Sequence, residues 1–284
     1  MPNYIRLGEL DSYKVFNRNN YAIFTTPSGS KKIAQENILN LIVEPSAAGH
    51  SIYRGKYLGT SISEEAYAAI AAGTFNPEDT GGLFIDDYWI INSVNWRIAH
   101  FDYWYNFGDA ACNTHHIVIV PDTILYSGKM NETNITTGAY VGSAMYISGL
   151  EQAKTIINAA FGPSHILTHR EHLQNAVTNG YASAGSWYNS TVELMSEEMV
   201  YGGREFEPGN SLGATIPNLY KIDHSQLKLF ELDRSKICNR STWWLRSVVS
   251  STYFALVYDG GNCNNGSASC SCGVRPAFGI KAAS

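Results

Sequence analysis

The chain has 284 residues and a mass of 31.3 kDa, enough for one large domain or one domain with a small appendage. Its residues are 44% hydrophobic, 12% aromatic and only 16% charged, a globular composition, and a formal net charge of −5 offers no basic footprint for nucleic acid. No apolar run approaches the roughly 20 residues that a membrane-spanning helix needs.

Residues 1–48 read as a separate unit. Asn20–Thr26 has the β-branched and aromatic content of a strand, Pro27–Ser30 of a turn, and Lys31–Val43 is expected to be a short helix with Ile38, Leu41 and Ile42 on one face. So short a segment buries little by itself and needs neighbours. Glu44–Gly49 is a linker of small and breaker residues. Beyond it a helix is expected, capped by Ser63, filled by Ala66–Ala72 and ended by Gly73. Residues 81–100 alternate with a period of about two around a turn at Asn92-Ser93, and Tyr88, Trp89 and Trp96 begin a core. His115–Pro121 has the pattern of a buried strand. Residues 149–161 form the clearest amphipathic helix, with Leu150, Ala153, Ile157 and Phe161 in one stripe and Gly162-Pro163 as its stop. A second short helix is expected over His169–Val177, a helical or mixed stretch over Val192–Val200, and a strand over residues 225–232 with Leu227, Leu229 and Phe230 inward.

The stretch around which the chain is organised is Thr242–Ile280. Trp243, Trp244, Leu245 and Arg246 form a dense left end, and Gly273-Val274-Arg275-Pro276-Ala277-Phe278 leads into a closing strand. Between them, Ser247 to Cys272 contains no Lys, Arg, Glu, Gln, Met or Trp; Ser, Asn, Gly, Cys, Tyr, Thr, Ala and Asp dominate. Such residues build turns. They are also what recognition loops use, because Tyr gives rigid contact area and small polar side chains give adaptable hydrogen bonds.

The frame WWLRS…GVRPAF resembles the C-terminal signature of C-type-lectin-fold domains of phage and gut-bacterial proteins, including variable proteins diversified by retroelements. That fold is related to formylglycine-generating enzymes. The resemblance implies an α+β chain with short helices around a small twisted antiparallel sheet, its terminal strands paired and its loops clustered on one face. In retroelement-diversified members, mutated AAY codons leave variable positions holding residues that NNY codons encode. Every residue from Ser247 to Cys272 is of that type. FTTPSGSKKIAQENIL similarly resembles a strand–helix element near the N-termini of phage fibre and head-decoration proteins, where it mediates attachment or trimerisation.

These resemblances imply a virion-attachment or oligomerisation segment over 1–48 and a ligand-binding domain over 49–284, with its variable region at about 242–280. The expected contacts are Ser247, Ser250, Thr252, Tyr253, Leu256, Tyr258, Asp259, Asn262, Asn264, Asn265, Ser267, Cys270 and Cys272. Phe254, Val257 and Ala268 are expected inward, and Trp243, Trp244, Arg246, Gly273, Arg275, Pro276 and Phe278 are expected as scaffold. The implied partners are a host-surface protein or glycan, other virion proteins through the N-terminal segment, and further copies in a homotrimer. The opening MPNYIRLGELDSYKVF has neither a signal peptide nor a lipobox, which suits a particle assembled in the bacterial cytoplasm better than a secreted protein. No membrane insertion is expected.

Catalytic and metal readings are weaker. His169-Arg-Glu-His172 lacks the H-E-x-x-H spacing of zinc proteases. Cys112 precedes His115 and His116, yet sequence neighbours leading into an apolar strand seldom form a nucleophile–base pair, and His100-Phe-Asp102 has no nucleophile. The C-x-C pair Cys270 and Cys272, with Cys263, lacks the second knuckle of a zinc site. Glu207-Pro-Gly-Asn210 is broken by its Gly as a calcium and sugar motif. No catalytic residue, metal or cofactor is therefore expected. The rival readings are an oxidoreductase of the formylglycine-generating type, which would use the late cysteines, and a purely structural capsid decoration.

Overall fold

The computed structural model describes residues 52–75, 82–203 and 226–283, together with the backbone of strands between residues 12 and 34. The chain divides into two units, Met1–Tyr53 and Arg54–Ser284. The first holds an antiparallel sheet of β1 (Ser12–Asn17), β2 (Tyr21–Thr26) and β3 (Gly29–Ala34). Lys31–Ala34 thus extends a strand and does not start a helix, because Lys31, Lys32 and Ile33 pair with Phe24, Ile23 and Ala22. The rest of the expected helix, 35–43, and the linker lie outside the described residues.

The second unit is α+β, mostly strand with few and short helices. It begins with β4 (Tyr57–Gly59) and α1 (Glu64–Ala72). The Ser63 side chain accepts the amide of Ala66, and Gly73, at φ 66°, closes the helix with αL geometry that a side chain would strain. Next come β5 (Tyr88–Ile91) and β6 (Val94–Phe101). The two residues joining them, Asn92 and Ser93, have φ of 51° and 63°, as a two-residue hairpin turn that follows the strand twist requires. β7 (Ile117–Pro121) is buried along its whole length and β8 (Tyr126–Gly128) is short. A π-turn at Met145–Gly149 feeds α2 (Glu151–Phe161), whose Ala153, Ile157 and Phe161 are buried together with Leu150 just before it.

His169–Val177 is strand, not helix. It belongs to β9 (His169–Thr178), which folds back on β10 (Tyr181–Ser190) as a two-stranded ribbon. Asn179 and Gly180, at φ 53° and 83°, make the turn. Leu173 and Val177 stand four apart and imitate a helical stripe, but the Asn-Gly turn and a ten-residue partner strand win. β11 (Val192–Leu194) and α3 (Glu197–Tyr201) follow, the mixed stretch expected there. Residues 204–225, including Glu207–Asn210, lie outside the described residues. The expected strand at 225–232 is instead α4 (Lys228–Leu232): Leu227 and Phe230 bury at helical spacing, with Leu229 beside them, and all three are inaccessible.

The last strands are β12 (Trp243–Val248), β13 (Tyr253–Val257), β14 (Cys263–Ser267), β15 (Cys272–Val274) and β16 (Pro276–Ile280). A six-stranded sheet runs β11-β16-β7-β6-β5-β4 and a five-stranded sheet runs β14-β13-β12-β15-β8. β16 therefore closes the first sheet between β7 and β11 while β12–β15 build the second. α2 plants Phe161 on the six-stranded sheet, 5.3 Å from Trp96 and 5.5 Å from Phe278 between ring centres. Among the described residues no helix is long and apolar enough to cross a membrane.

Candidate ligand-binding surface

β12 sends Trp243 and Trp244 to opposite faces, and both are wholly buried. Trp243 lies under the guanidinium of Arg275, 5.0 Å away, and Phe230 flanks the same cation at 5.4 Å. Arg275 is fully buried and its guanidinium bonds backbone carbonyls. Its Nε donates to the Pro121 carbonyl at 2.9 Å and Nη1 to that of Lys236 at 3.0 Å, and burial pulls its pKa down to about 10. One side chain thus ties β16 to the end of β7 and to the 3₁₀ turn Arg234–Lys236. On the other face, the Trp244 indole donates to the Gly128 carbonyl at 2.8 Å.

β14 crosses this aromatic floor at Gly266. A Cβ there would stand 2.7 Å from Leu256 Cδ2 and 3.0 Å from Trp244 Cη2, so the strand passes only because Gly has no side chain. Leu256 faces Trp244 on one neighbour strand and Asn264 on the other. It is buried, not a surface contact, because the gap at Gly266 lets it pack on the Trp ring. Ser247 is likewise buried, in the irregular stretch of β12 between Trp244 and Val248. These two positions leave the expected contact set.

The other eleven are accessible. Tyr253, Tyr258, Asp259, Asn262, Asn265 and Cys270 are exposed, and Ser250, Thr252, Asn264, Ser267 and Cys272 are half-buried. Tyr253 and Tyr258 keep 40% and 48% of their surface, large for aromatic side chains at the two ends of a buried strand. Phe254, Val257 and Ala268 are buried, and so are Gly273, Pro276 and Phe278 of the frame. β14 is an edge strand, so its outer backbone groups have no neighbour within the sheet.

Two distant segments complete this face. In the 131–136 loop, Thr136 donates its amide to the Ser251 carbonyl at 3.1 Å and its hydroxyl to that of Ser250 at 2.8 Å. Asn134 Oδ1 accepts from the Ser269 amide and hydroxyl at 3.1 and 2.6 Å. The β9–β10 turn packs beside them, since a Cβ at Gly180 would stand 3.1 Å from the Ser251 amide nitrogen. Ile135 and Tyr181 are exposed on these segments, at 50% and 57%. Sequence reasoning missed both, although NETNITT and NGYASAGSWYNS share the Asn, Ser, Thr, Tyr and Gly composition of the 247–272 stretch.

Arg246 is a scaffold residue of a different kind from Arg275. It pairs with Glu171, whose second oxygen accepts the Trp104 indole N–H at 3.0 Å. Burial works to raise the Glu171 carboxyl, but Arg246 and His169 outweigh it and hold the pKa at about 2. Nearby Glu193 accepts the Tyr140 hydroxyl at 2.7 Å, and burial with the charge of Glu171 pushes it up to about 7.

Of the candidate catalytic groups, Asp102 gathers His115 and His116, at 2.6 and 3.7 Å from its carboxylate. His169 and His172 lie on a strand, both buried, with His169 stacked on Trp104 at 3.8 Å. His115 Nδ1 is held by Asp102 at 2.6 Å, and its ring stacks on Tyr105 at 4.4 Å. Buried His116 accepts the Trp104 amide on Nε2 and so donates from Nδ1 to the Thr114 carbonyl, and burial pushes its pKa down to about 4. The Cys112 thiol turns to the Thr114 carbonyl, and burial raises its pKa. His100 is bound to its neighbour's carbonyl. All five cysteines are free, and burial with the nearby Cys270 pushes the Cys272 thiol up to about 11. Among the described residues no three His, Cys, Asp or Glu side chains are grouped to hold a metal ion.

A family model described as a domain of unknown function, DUF6273, matches residues 175–282. The match takes in β10 to β16 and with them the aromatic floor and the accessible positions above it. No curated protein and no solved structure matches the chain.

Proposed function

We propose that this chain is a ligand-binding protein of C-type-lectin fold that presents an interchangeable recognition surface, built on the β12–β14 region, as a fibre or decoration subunit of a phage virion. The observation that carries this reading is the division within one strand pair: Phe254 to Val257 are buried on Trp243 and Trp244, while Tyr253, Tyr258, Asn262 and Asn265 are exposed around them. A rigid floor under a skin of Tyr and small polar residues lets surface side chains change without repacking the core. The ligand is a host-surface protein or glycan. The N-terminal segment attaches the subunit to other virion proteins, and a homotrimer raises modest single-site affinity by avidity.

Sequencing the gene from sibling isolates tests the reading. Substitutions should crowd at Ser250, Thr252, Tyr253, Tyr258, Asp259, Asn262, Asn264, Asn265 and Ser267 and spare Trp243, Trp244, Leu256 and Arg275. Evenly spread changes would instead mark a structural decoration, and fixed Cys270 and Cys272 amid variation would favour the oxidoreductase.

A further inference from the structure

We propose that the recess beside the β13–β14 turn is a binding site for a small carboxylated polar ligand of about the size of one sugar ring, anchored by Arg234. The recess has a volume of about 430 Å³, within the range of small-molecule sites. Three parts of the chain wall it: Tyr201 at the end of α3, the turn from Arg234 through Ile237 and Cys238, and Gly260-Gly261-Asn262. Most of these walls are bolted to one another. The Tyr201 hydroxyl donates to the Gly261 carbonyl at 3.0 Å, the Cys238 thiol to the Asp259 carbonyl at 3.3 Å, and the Gln226 amide to the Val200 carbonyl at 2.7 Å. Gly261, at φ 88°, keeps the wall closed, since a Cβ there would stand 3.0 Å from Cys238 Cβ.

Arg234 and Arg240 are the exceptions among the described arginines, and of the two only Arg234 lines the recess. Arg54, Arg97, Arg170 and Arg246 each face a carboxylate, and Arg275 is engaged with backbone carbonyls. Among the described residues Arg234 has no such partner, and the described side chains lining the recess beside it include no acid. The adjacent Asp233 is engaged by the Ser235 amide at 3.0 Å and by its hydroxyl. Glu197, whose charge reaches Tyr201, is buried and is not among the residues of the wall. A guanidinium left unpaired at the mouth of a recess offers a planar fork to a carboxylate. Tyr201 and Ile237 supply an apolar side, the two glycines leave room for a ring, and the Asn262 amide meets its hydroxyls. Tyr201, Arg234, Ile237 and Cys238 lie outside the 247–272 stretch, and the site meets the displayed surface at Gly260, Gly261 and Asn262.

The test is a titration of the isotopically labelled chain with glucuronate and with glucose, which differ at one carboxylate, followed by the amide signals of Ile237 and Asn262. Glucuronate at millimolar concentration should shift those signals and glucose should not. R234Q should weaken glucuronate binding roughly tenfold or more, the weight of one charge-assisted contact. R240Q, at an exposed arginine outside the recess, should leave it unchanged. Arg234 is exposed, so unaltered signals elsewhere in the R234Q spectrum would show that the fold is kept. Absence of glucuronate binding, equal response to the two sugars, or full binding by R234Q would each overturn the assignment.

Discussion

Glu193 is 7% exposed, and its carboxylate shares the interior with that of Glu171, to which Arg246 is paired. With its pKa lifted to about 7 from an ordinary 4.5, the native state holds a proton that the unfolded chain has released anywhere between those values. Stability is therefore full below pH 4.5 and is lost as pH rises through 7. A shift of this size corresponds to about 3 kcal/mol. Glu171 does not mask the effect, because its lowered carboxyl loses its contribution only as pH falls from 4.5 through about 2. Glu193→Gln keeps an acceptor for the Tyr140 hydroxyl and removes the titration. Urea unfolding at pH 5 and pH 8 should show the parent chain losing up to about 3 kcal/mol relative to the variant. A parent–variant difference that is the same at both pH values would refute the assignment.

At the scale of elements, the β13–β14 pair depends on Gly266. Gly266→Ala puts a methyl group against Leu256 Cδ2 and the Trp244 ring, and neither has room to retreat because both are buried. Overpacking of this kind costs about 1–3 kcal/mol. Thermal unfolding should register it as a lowered midpoint, and an unchanged midpoint would mean that β14 does not rest on the Trp ring. The sequence carries no sign of this need, since Gly266 looks like one more turn former among Asn and Ser. What is local is legible: Ser63 and Gly73 cap their helix, Asn92-Ser93 turns its hairpin, and Leu150, Ala153, Ile157 and Phe161 bury in one stripe. What depends on a distant partner is not. The β9–β10 ribbon was signalled by Asn179-Gly180, yet Leu173 and Val177 match a helix equally well until β10 is paired to them. Leu227 and Leu229 alternate as in a strand, and the helix α4 shows only in the backbone bonds from the Phe230 and Glu231 amides to the Leu227 carbonyl. Ser247 stands beside Arg246 and Leu256 within the apolar run Phe254–Val257, and both are buried in space.

At the scale of the whole molecule, binding and stability are assigned to different atoms. The β12–β16 frame is anchored through Arg275 to the six-stranded sheet, so the floor of the surface is fixed by residues that a ligand would not touch. Side chains standing on that floor should then be free to vary. The 131–136 loop and the Asn179–Tyr181 turn buttress the Ser250–Ser251 turn by backbone contacts, so changing side chains at Thr252 or Tyr253 removes little of what holds the turn. Tyr258→Ser, Asn262→Asp and Asn265→Tyr should each alter unfolding free energy by no more than about 0.5 kcal/mol, the range of ordinary surface substitutions. Leu256→Asn, at a buried position between Tyr253 and Tyr258, leaves an amide against Trp244 and should cost several times as much, about 2–4 kcal/mol. Urea denaturation of the four variants measures the contrast. If Tyr258→Ser or Asn265→Tyr destabilises the chain as strongly as Leu256→Asn, the exposed residues are part of the fold's own packing, and the separation of floor from skin on which recognition depends is lost.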